Sequence, residues 1–238
     1  MSNPLCLTAD WGSSFIDPIS GQLMHAKEGA FSETLYIYGQ NVQWALEHGY
    51  PLKICIVGLG LGYIELIALA LILNSPRADE SVKILSFEKS DLLRSSFIDW
   101  LTNDNQSEFA QIYDEILFHI ENHLKVKALD LKTFAHKIYQ NKDWIFFKDP
   151  LLDFSWKTFD KYHIIQFDPY SRSANPEFWQ EIWLSEFLET ITVNPCSFTT
   201  YASNGPLKRA LSHNGFSLEK KPGFGSKRES TFAIRAPK

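Results

Sequence analysis

The stretch that most restricts the fold is residues 52–73. Leu52 to Val57 is a compact, largely β-branched run with no polar alternation; Gly58-Leu59-Gly60-Leu61-Gly62 follows, and Tyr63 to Leu73 is an apolar helical run ended by Asn74-Ser75-Pro76. A strand without polar alternation is covered on both faces, the condition of the centre of a parallel sheet. Glycines between such a strand and a helix leave the backbone bare, so a ligand can lie against it and meet the free N–H groups of the helix start.

The flanking sequence repeats the strand–helix alternation. Val82 to Phe87 reads as a strand running into Glu88, Asp91 to Leu101 as a helix, and 109–139 as mostly helical. Trp144 to Phe147 and Tyr162 to Phe167 read as strands ended by Asp149-Pro150 and Asp168-Pro169, and Pro176 to Glu189 as a helix. After Ser197 to Tyr201 and a helix over Gly205 to Asn214, Phe216 to Lys220 and Ser230 to Arg235 form an antiparallel hairpin around Pro222-Gly223-Phe224-Gly225. This is a doubly wound, Rossmann-like α/β layer structure occupying 51–238. Ahead of it, 1–50 reads as a small β-rich lobe with turns at Asp10 to Ser13, Asp17-Pro18 and Ser20-Gly21. A leading helix follows from about Ala30 to His48, where Phe31, Leu35, Tyr38, Val42 and Ala45 recur at threes and fours.

Composition narrows the class further. With 45% apolar residues in 238, disorder and coiled coil are excluded. Cys6, Cys55 and Cys196 are odd in number and far apart, which implies a reducing compartment and offers no metal pair. Met1 to Asp10 lacks the pattern of a secretion signal, and the apolar run Ile54 to Leu73 carries three glycines and Glu65, so a cytoplasmic protein with no membrane partner is expected. The net charge of −5 is unevenly spread: Tyr201 to Lys238 holds eight basic against two acidic residues, a balance of +6 that leaves −11 on the first 200. Such asymmetry marks a local phosphate-facing patch on an acidic body, or a solvated surface.

The candidate chemistry lies at strand ends, since ligands of open α/β sheets sit beyond the carboxyl ends of the strands. Glu88, about 30 residues beyond the glycine loop, is placed to accept hydrogen bonds from both hydroxyls of a ribose. Gly58, Gly60, Gly62 and Glu88 together point to an adenosine-containing ligand. Asp149 and Asp168 end the next strands and are expected in the same crevice, although Asp-Pro is also an ordinary turn.

Three ordered segments carry a more specific resemblance. These are Gly29-Ala30-Phe31-Ser32-Glu33-Thr34, the run from Asp168-Pro169-Tyr170 to Asn175-Pro176-Glu177-Phe178-Trp179, and Gly223-Phe224-Gly225-Ser226-Lys227-Arg228-Glu229. They resemble the methyltransferase domain of MnmC-type tRNA wobble-uridine enzymes, in the stand-alone form without the oxidase domain. The resemblance implies S-adenosyl-L-methionine as cofactor, held by Gly58, Gly60, Gly62 and Glu88 with Asp149 near its adenine. It implies transfer of a methyl group to the amine of 5-aminomethyl-(2-thio)uridine in a tRNA anticodon loop, the amine being supplied by a separate oxidase. The chain departs from the family's glycine motif at Ile56, where an acid is usual, and at Ile64, where asparagine is usual.

Methyl transfer to an amine needs a neutral lone pair in line with the methyl carbon. Asp168 is assigned to orient the amine and accept its proton, directly or through water. Tyr170 and Glu33 are placed in the substrate pocket, and Lys227 and Arg228 on the phosphates or ribose flanking a flipped base. Two alternatives share the fold: a methyltransferase or aminopropyltransferase-like enzyme acting on a small amine, and a non-catalytic cofactor-binding protein.

Overall fold

A computed structural model describes residues 5–16, 21–102 and 107–237. The turns expected at Asp17-Pro18 and Ser20, and Lys238 of the basic ending, lie outside the described residues. The chain opens with β1 (Leu5–Leu7) and β2 (Ser13–Phe15), an antiparallel pair joined by the Thr8–Gly12 turn. That turn is built around Asp10. Its Oδ1 accepts from the backbone N–H of Gly12 and Ala30 and its Oδ2 from Ser32 N and Oγ, so a side chain twenty residues upstream caps the first turn of α1 (Ala30–Glu47).

The layered body then follows as β3 (Leu52–Val57), α2 (Tyr63–Leu73), β4 (Val82–Phe87), α3 (Asp91–Leu101), α4 (Ala110–Leu124), α5 (Ala128–Gln140), β5 (Trp144–Phe147) and β6 (Tyr162–Phe167). The last part is α6 (Glu181–Ile191), β7 (Thr192–Thr200), α7 (Gly205–His213), β8 (Ser217–Pro222) and β9 (Glu229–Arg235). The seven strands from β3 to β9 form one sheet of order β5-β4-β3-β6-β7-β9-β8, parallel from β5 to β7, with β9 antiparallel to both its neighbours. The fold is the expected Rossmann-like sheet ending in a hairpin.

Both faces of the sheet are covered. Ile54 and Ile56 of β3 join the core made with α1, α2, α4 and α5, whereas Cys55 and Val57 join a second core with α6 and α7. The leading helix shares the first of these cores through Phe31, Ile37, Tyr38 and Val42.

Three elements differ from the sequence reading. The helical region 109–139 is two helices, because Lys125 takes a left-handed conformation, φ 60°, that ends α4. The helix expected from Pro176 is a 3-10 turn, Pro176–Trp179, separated from α6 by the extended residue Gln180; the break lets both Phe178 and Trp179 turn into the core. Strand β7 begins at Thr192, five residues before the expected Ser197, and runs on across Pro195, which in sequence signals a turn. Among the described residues, no helix is long and apolar enough to cross a membrane.

Candidate active site

Sheet order places the site. From β3 the chain winds outward through β4 to β5 and then returns to add β6 on the other side, so β3 and β6 are neighbours whose connections leave in opposite directions. Val57 pairs with Phe167, and the residues that follow, Gly58 and Asp168, are therefore side by side: Asp168 N donates to Val57 O at 2.7 Å. A Cβ on Gly58, whose φ is +96°, would stand 2.4 Å from the carbonyl oxygen of Asp168, so this position is glycine by necessity. On the other flank Gly58 N and Leu59 N both donate to Phe87 O, which brings Glu88 against the loop.

These strand ends open into a cavity of about 870 Å³. One part is walled by Gly58, Leu59, Gly60, Glu88, Ser90 and Leu93, the other by Glu33, Tyr38, Asp168, Tyr170, Tyr201 and Lys227. The residues suit S-adenosylmethionine. The backbone is bare at Gly58 and Gly60, and a Cβ on Gly60 would meet only Met24 Sδ, at 3.5 Å, so the space over the loop is open. Glu88 accepts from Gly60 N at 2.9 Å through Oε2 and from Ser90 N at 2.7 Å through Oε1, and each oxygen keeps a lone pair for a ribose hydroxyl. Burial raises the Glu88 pKa, and these two N–H groups act against that rise. Ile64 forms part of the apolar wall, and Ile56 is buried in the core behind it.

At the acceptor part, Asp168 lies half-buried on the wall. Tyr38 Oη donates to its Oδ1 at 2.5 Å, and Oδ2 has no donor among the described residues. Burial, reinforced by the negative charge of Glu33, pushes the Asp168 pKa up to about 8, against the Tyr38 hydrogen bond and the positive charge of Lys227. Glu33, 4% exposed, accepts from Ala26 N at 2.5 Å and from Lys227 Nζ at 2.7 Å. The Lys227 ammonium also lies 4.5 Å from the centre of the Tyr201 ring.

The structure thus brings together Gly58, Gly60, Glu88, Glu33, Tyr170, Asp168 and Lys227. Three expected residues stand elsewhere. Gly62 is under the helix start, where a Cβ would strike the Phe97 ring at 2.4 Å, so it serves the packing of α2. Asp149 is turned into its own loop, its Oδ1 accepting from Leu151 N at 2.8 Å, and the cavity wall is made by its neighbours Lys148 and Pro150. Arg228 is exposed outside the cavity, and its neighbour Glu229 is taken by Lys208 and Ser203.

Sequence reasoning missed Tyr38, Tyr201 and His25. Tyr38 carried only the helix periodicity of a core aromatic. His25 lies on the wall with Nδ1 3.2 Å from Ser14 Oγ; burial first, then the Lys227 charge, pull its pKa down to about 4, so it is neutral at physiological pH.

The chain is similar to known methyltransferases. Residues 152–236 match the family model described as S-adenosyl-L-methionine-dependent methyltransferase. The chain is 27% identical over 228 residues to the tRNA 5-methylaminomethyl-2-thiouridine biosynthesis bifunctional protein MnmC of Hahella chejuensis, a match covering 91% of this chain and 35% of that protein. A 62-residue segment is 40% identical to the protein of the same name from Leptospira borgpetersenii, covering 26% of this chain and 9% of that one. The crystal structure of MNMC2 from Aquifex aeolicus superposes with a TM-score of 0.66 at 21% identity, over 98% of this chain and 72% of that one. The chain spans about a third of the length of the curated relatives that match it over most of its own length.

Proposed function

We propose that this chain, an S-adenosylmethionine-dependent methyltransferase related to the MnmC proteins, methylates the exocyclic amine of 5-aminomethyl-(2-thio)uridine at the tRNA wobble position. The observation that carries the amine is the charge balance around Asp168. Lys227 is spent on Glu33 at 2.7 Å, so Asp168 Oδ2 faces the cavity as an acid with no cation of its own. A primary ammonium group completes that site, while a carboxylate or phosphate would be repelled.

When bound, S-adenosylmethionine supplies an electrophilic methyl group on a cationic sulfur. Gly58 and Gly60 would hold its backbone-facing part and Glu88 its ribose. Asp168 receives the ammonium, orients it through Oδ2, and takes its proton once it has become a carboxylate; the ammonium itself helps that ionisation by drawing the raised pKa down. The apolar and aromatic wall, with Tyr170 and Tyr201, keeps water from the amine and gives the flipped uracil faces to stack on. Arg228, exposed on the hairpin turn beside Lys227, takes a flanking phosphate of the anticodon loop.

The test is methyl transfer from labelled S-adenosylmethionine to tRNA bearing 5-aminomethyl-2-thiouridine, read by mass spectrometry of the nucleosides, with free diamines as competing acceptors. Product on tRNA, lost by at least about 10²-fold in Asp168→Ala with cofactor affinity kept, is expected. Methylated diamine with unmodified tRNA would overturn the assignment in favour of a small-amine enzyme.

A further inference from the structure

The Asp168 carboxyl group has two oxygens in different surroundings, and the difference is imposed from α1. Tyr38, 3% exposed, reaches from that helix to the end of β6 and donates its only hydroxyl proton to Oδ1 at 2.5 Å, while its oxygen accepts from Tyr201 N at 3.3 Å. The hydroxyl is thereby held from both sides and cannot turn its proton elsewhere. The backbone that carries it is also bolted in place. Gln166 Nε2, two residues before Asp168, donates to the carbonyl of Tyr38 at 2.8 Å and to Asn41 Oδ1 at 3.2 Å, and Asn41 Nδ2 donates to Ile165 O at 3.1 Å. Thr199 Oγ1 of β7 donates to the neighbouring carbonyl of Ile37 at 2.8 Å. Four buried hydrogen bonds thus join α1 to the two strands that deliver Asp168 and Tyr201. Buried hydrogen bonds converging in this way favour one arrangement of their members, with Gln166 Oε1 left without a partner.

We infer that Tyr38 is a positioning residue for Asp168: it occupies Oδ1, fixes the carboxyl plane, and leaves Oδ2 as the single oxygen that meets the acceptor amine. The inference rests on the reading of Asp168 as the amine-binding acid. It also gives Tyr38 an electrostatic task. Burial first, and then the charge of Glu33 on α1, press Asp168 toward its protonated form; the Tyr38 hydroxyl and Lys227 from the hairpin turn favour the carboxylate, and the Asp168 charge in turn helps raise the pKa of Glu65 on α2. On the same wall, which also carries Tyr170, Tyr201 is held neutral by its own burial and donates its hydroxyl to Pro169 O, and His25 is neutral because burial pulls its pKa down to about 4. Tyr38 is thus the one neutral donor committed to the charged form, and its removal leaves Lys227 alone on that side.

Tyr38→Phe deletes the donor and keeps the ring. In protein labelled with ¹³C at aspartate carboxyls, without substrate, and with Asp168→Asn to assign the signal, the Asp168 titration midpoint is expected to rise by about one pH unit or more in Tyr38→Phe. The acid limb of kcat/KM for methyl transfer should move by the same amount, a roughly tenfold loss near neutrality that is recovered at higher pH, while cofactor affinity is unchanged. Site-specific 3-fluorotyrosine at position 38, a stronger donor that leaves the packing intact, should move the midpoint the other way; this covers the case in which the phenylalanine variant folds poorly. Midpoints unmoved in both proteins would overturn the inference. A midpoint that moves in a protein giving no product on tRNA would leave the positioning role standing and refute the substrate.

Discussion

Replacing Asp168 by asparagine should make the protein more stable as it makes it inactive, and the gain should grow with pH. A carboxyl group whose folded pKa is raised penalises the native state wherever the unfolded chain is ionised and the folded one resists ionisation. The penalty is absent below the unfolded value near 4, grows between there and the folded value of about 8, and is constant above it. At about 1.4 kcal/mol per unit, a separation of roughly four units sets a ceiling of about 5–6 kcal/mol at pH 8 and above. Water reaches the carboxylate through the cavity and relaxes part of this, so about 2–4 kcal/mol is expected, together with about 1 kcal/mol or less at pH 5. Asparagine keeps an oxygen for the Tyr38 hydroxyl, and its neutral amide has no charge to desolvate. In a chain of this size 1 kcal/mol corresponds to about 2–4 °C, so Asp168→Asn should melt roughly 4–16 °C above the parent at pH 8 and near it at pH 5. Urea unfolding of both proteins at pH 5, 6, 7, 8 and 9 measures the difference directly, the other buried acids, Glu33, Glu65 and Asp149, being present in both. A difference that does not change with pH, or an asparagine variant less stable than the parent at pH 8, would refute the electrostatic account of the site.

Three further outcomes follow from the geometry. Gly58→Ala forces a methyl group against the Asp168 carbonyl and should cost roughly 2–4 kcal/mol in urea unfolding and abolish cofactor binding in calorimetry; a normal unfolding curve with intact binding would show the loop is not held as described. Lys227 and Arg228 should separate: Arg228→Ala should flatten the salt dependence of the tRNA KM by roughly 0.7 in log–log slope, and Lys227→Ala should lower kcat with the slope unchanged, since its charge is directed at Glu33 rather than at phosphate. Asp10→Ala leaves the N–H groups of Gly12 and Ser32 without their acceptor and Ala30 N with Thr8 Oγ1 alone, and should cost about 2–3 kcal/mol, with Asp10→Asn about half as costly because one oxygen remains; equal melting of all three proteins would exclude the capping role.

Local signals made most of the fold legible. Strand β3, the loop after it and α2 announced themselves because apolar run, glycines and helix stop are all short-range, and the strand-end acids Glu88 and Asp168 follow from them once the sheet is parallel. Asp149 looked equivalent to Asp168 in sequence, each being an acid before a proline at a strand end. Their fates differ because β6 lies next to β3 and β5 is two strands away, and because the Asp149 carboxyl has a backbone N–H two residues on, Leu151, to close upon. That choice depends on strand order, which no local pattern encodes. Tyr38 was hidden for a different reason: a tyrosine at a buried helix position looks like a phenylalanine until the partner of its hydroxyl, 130 residues away, is known.

The hairpin shows how far a local pattern can go before tertiary packing takes over. Gly223 lets the turn close so tightly that a Cβ there would lie 2.3 Å from the Lys227 carbonyl, and Gly223 N and Arg228 O are hydrogen-bonded at 3.2 Å. With the turn shut at that point, its two adjacent cations take different directions. Lys227 goes inward to Glu33 and Tyr201, and Arg228 goes outward to solvent. Two adjacent cations that read as one basic patch therefore reach two media. The inner one neutralises Glu33, and by doing so leaves Asp168 as the acid that needs a cationic substrate; the outer one retains the screening and the salt sensitivity of an exposed charge. An arginine at 227 would replace the compact ammonium that meets Glu33 Oε1 at 2.7 Å by a longer, forked head of different geometry, whereas lysine at 228 would serve a phosphate nearly as well. Lys227→Arg should thus impair turnover and Arg228→Lys should not, and equal effects of the two exchanges would place both side chains in the same surroundings.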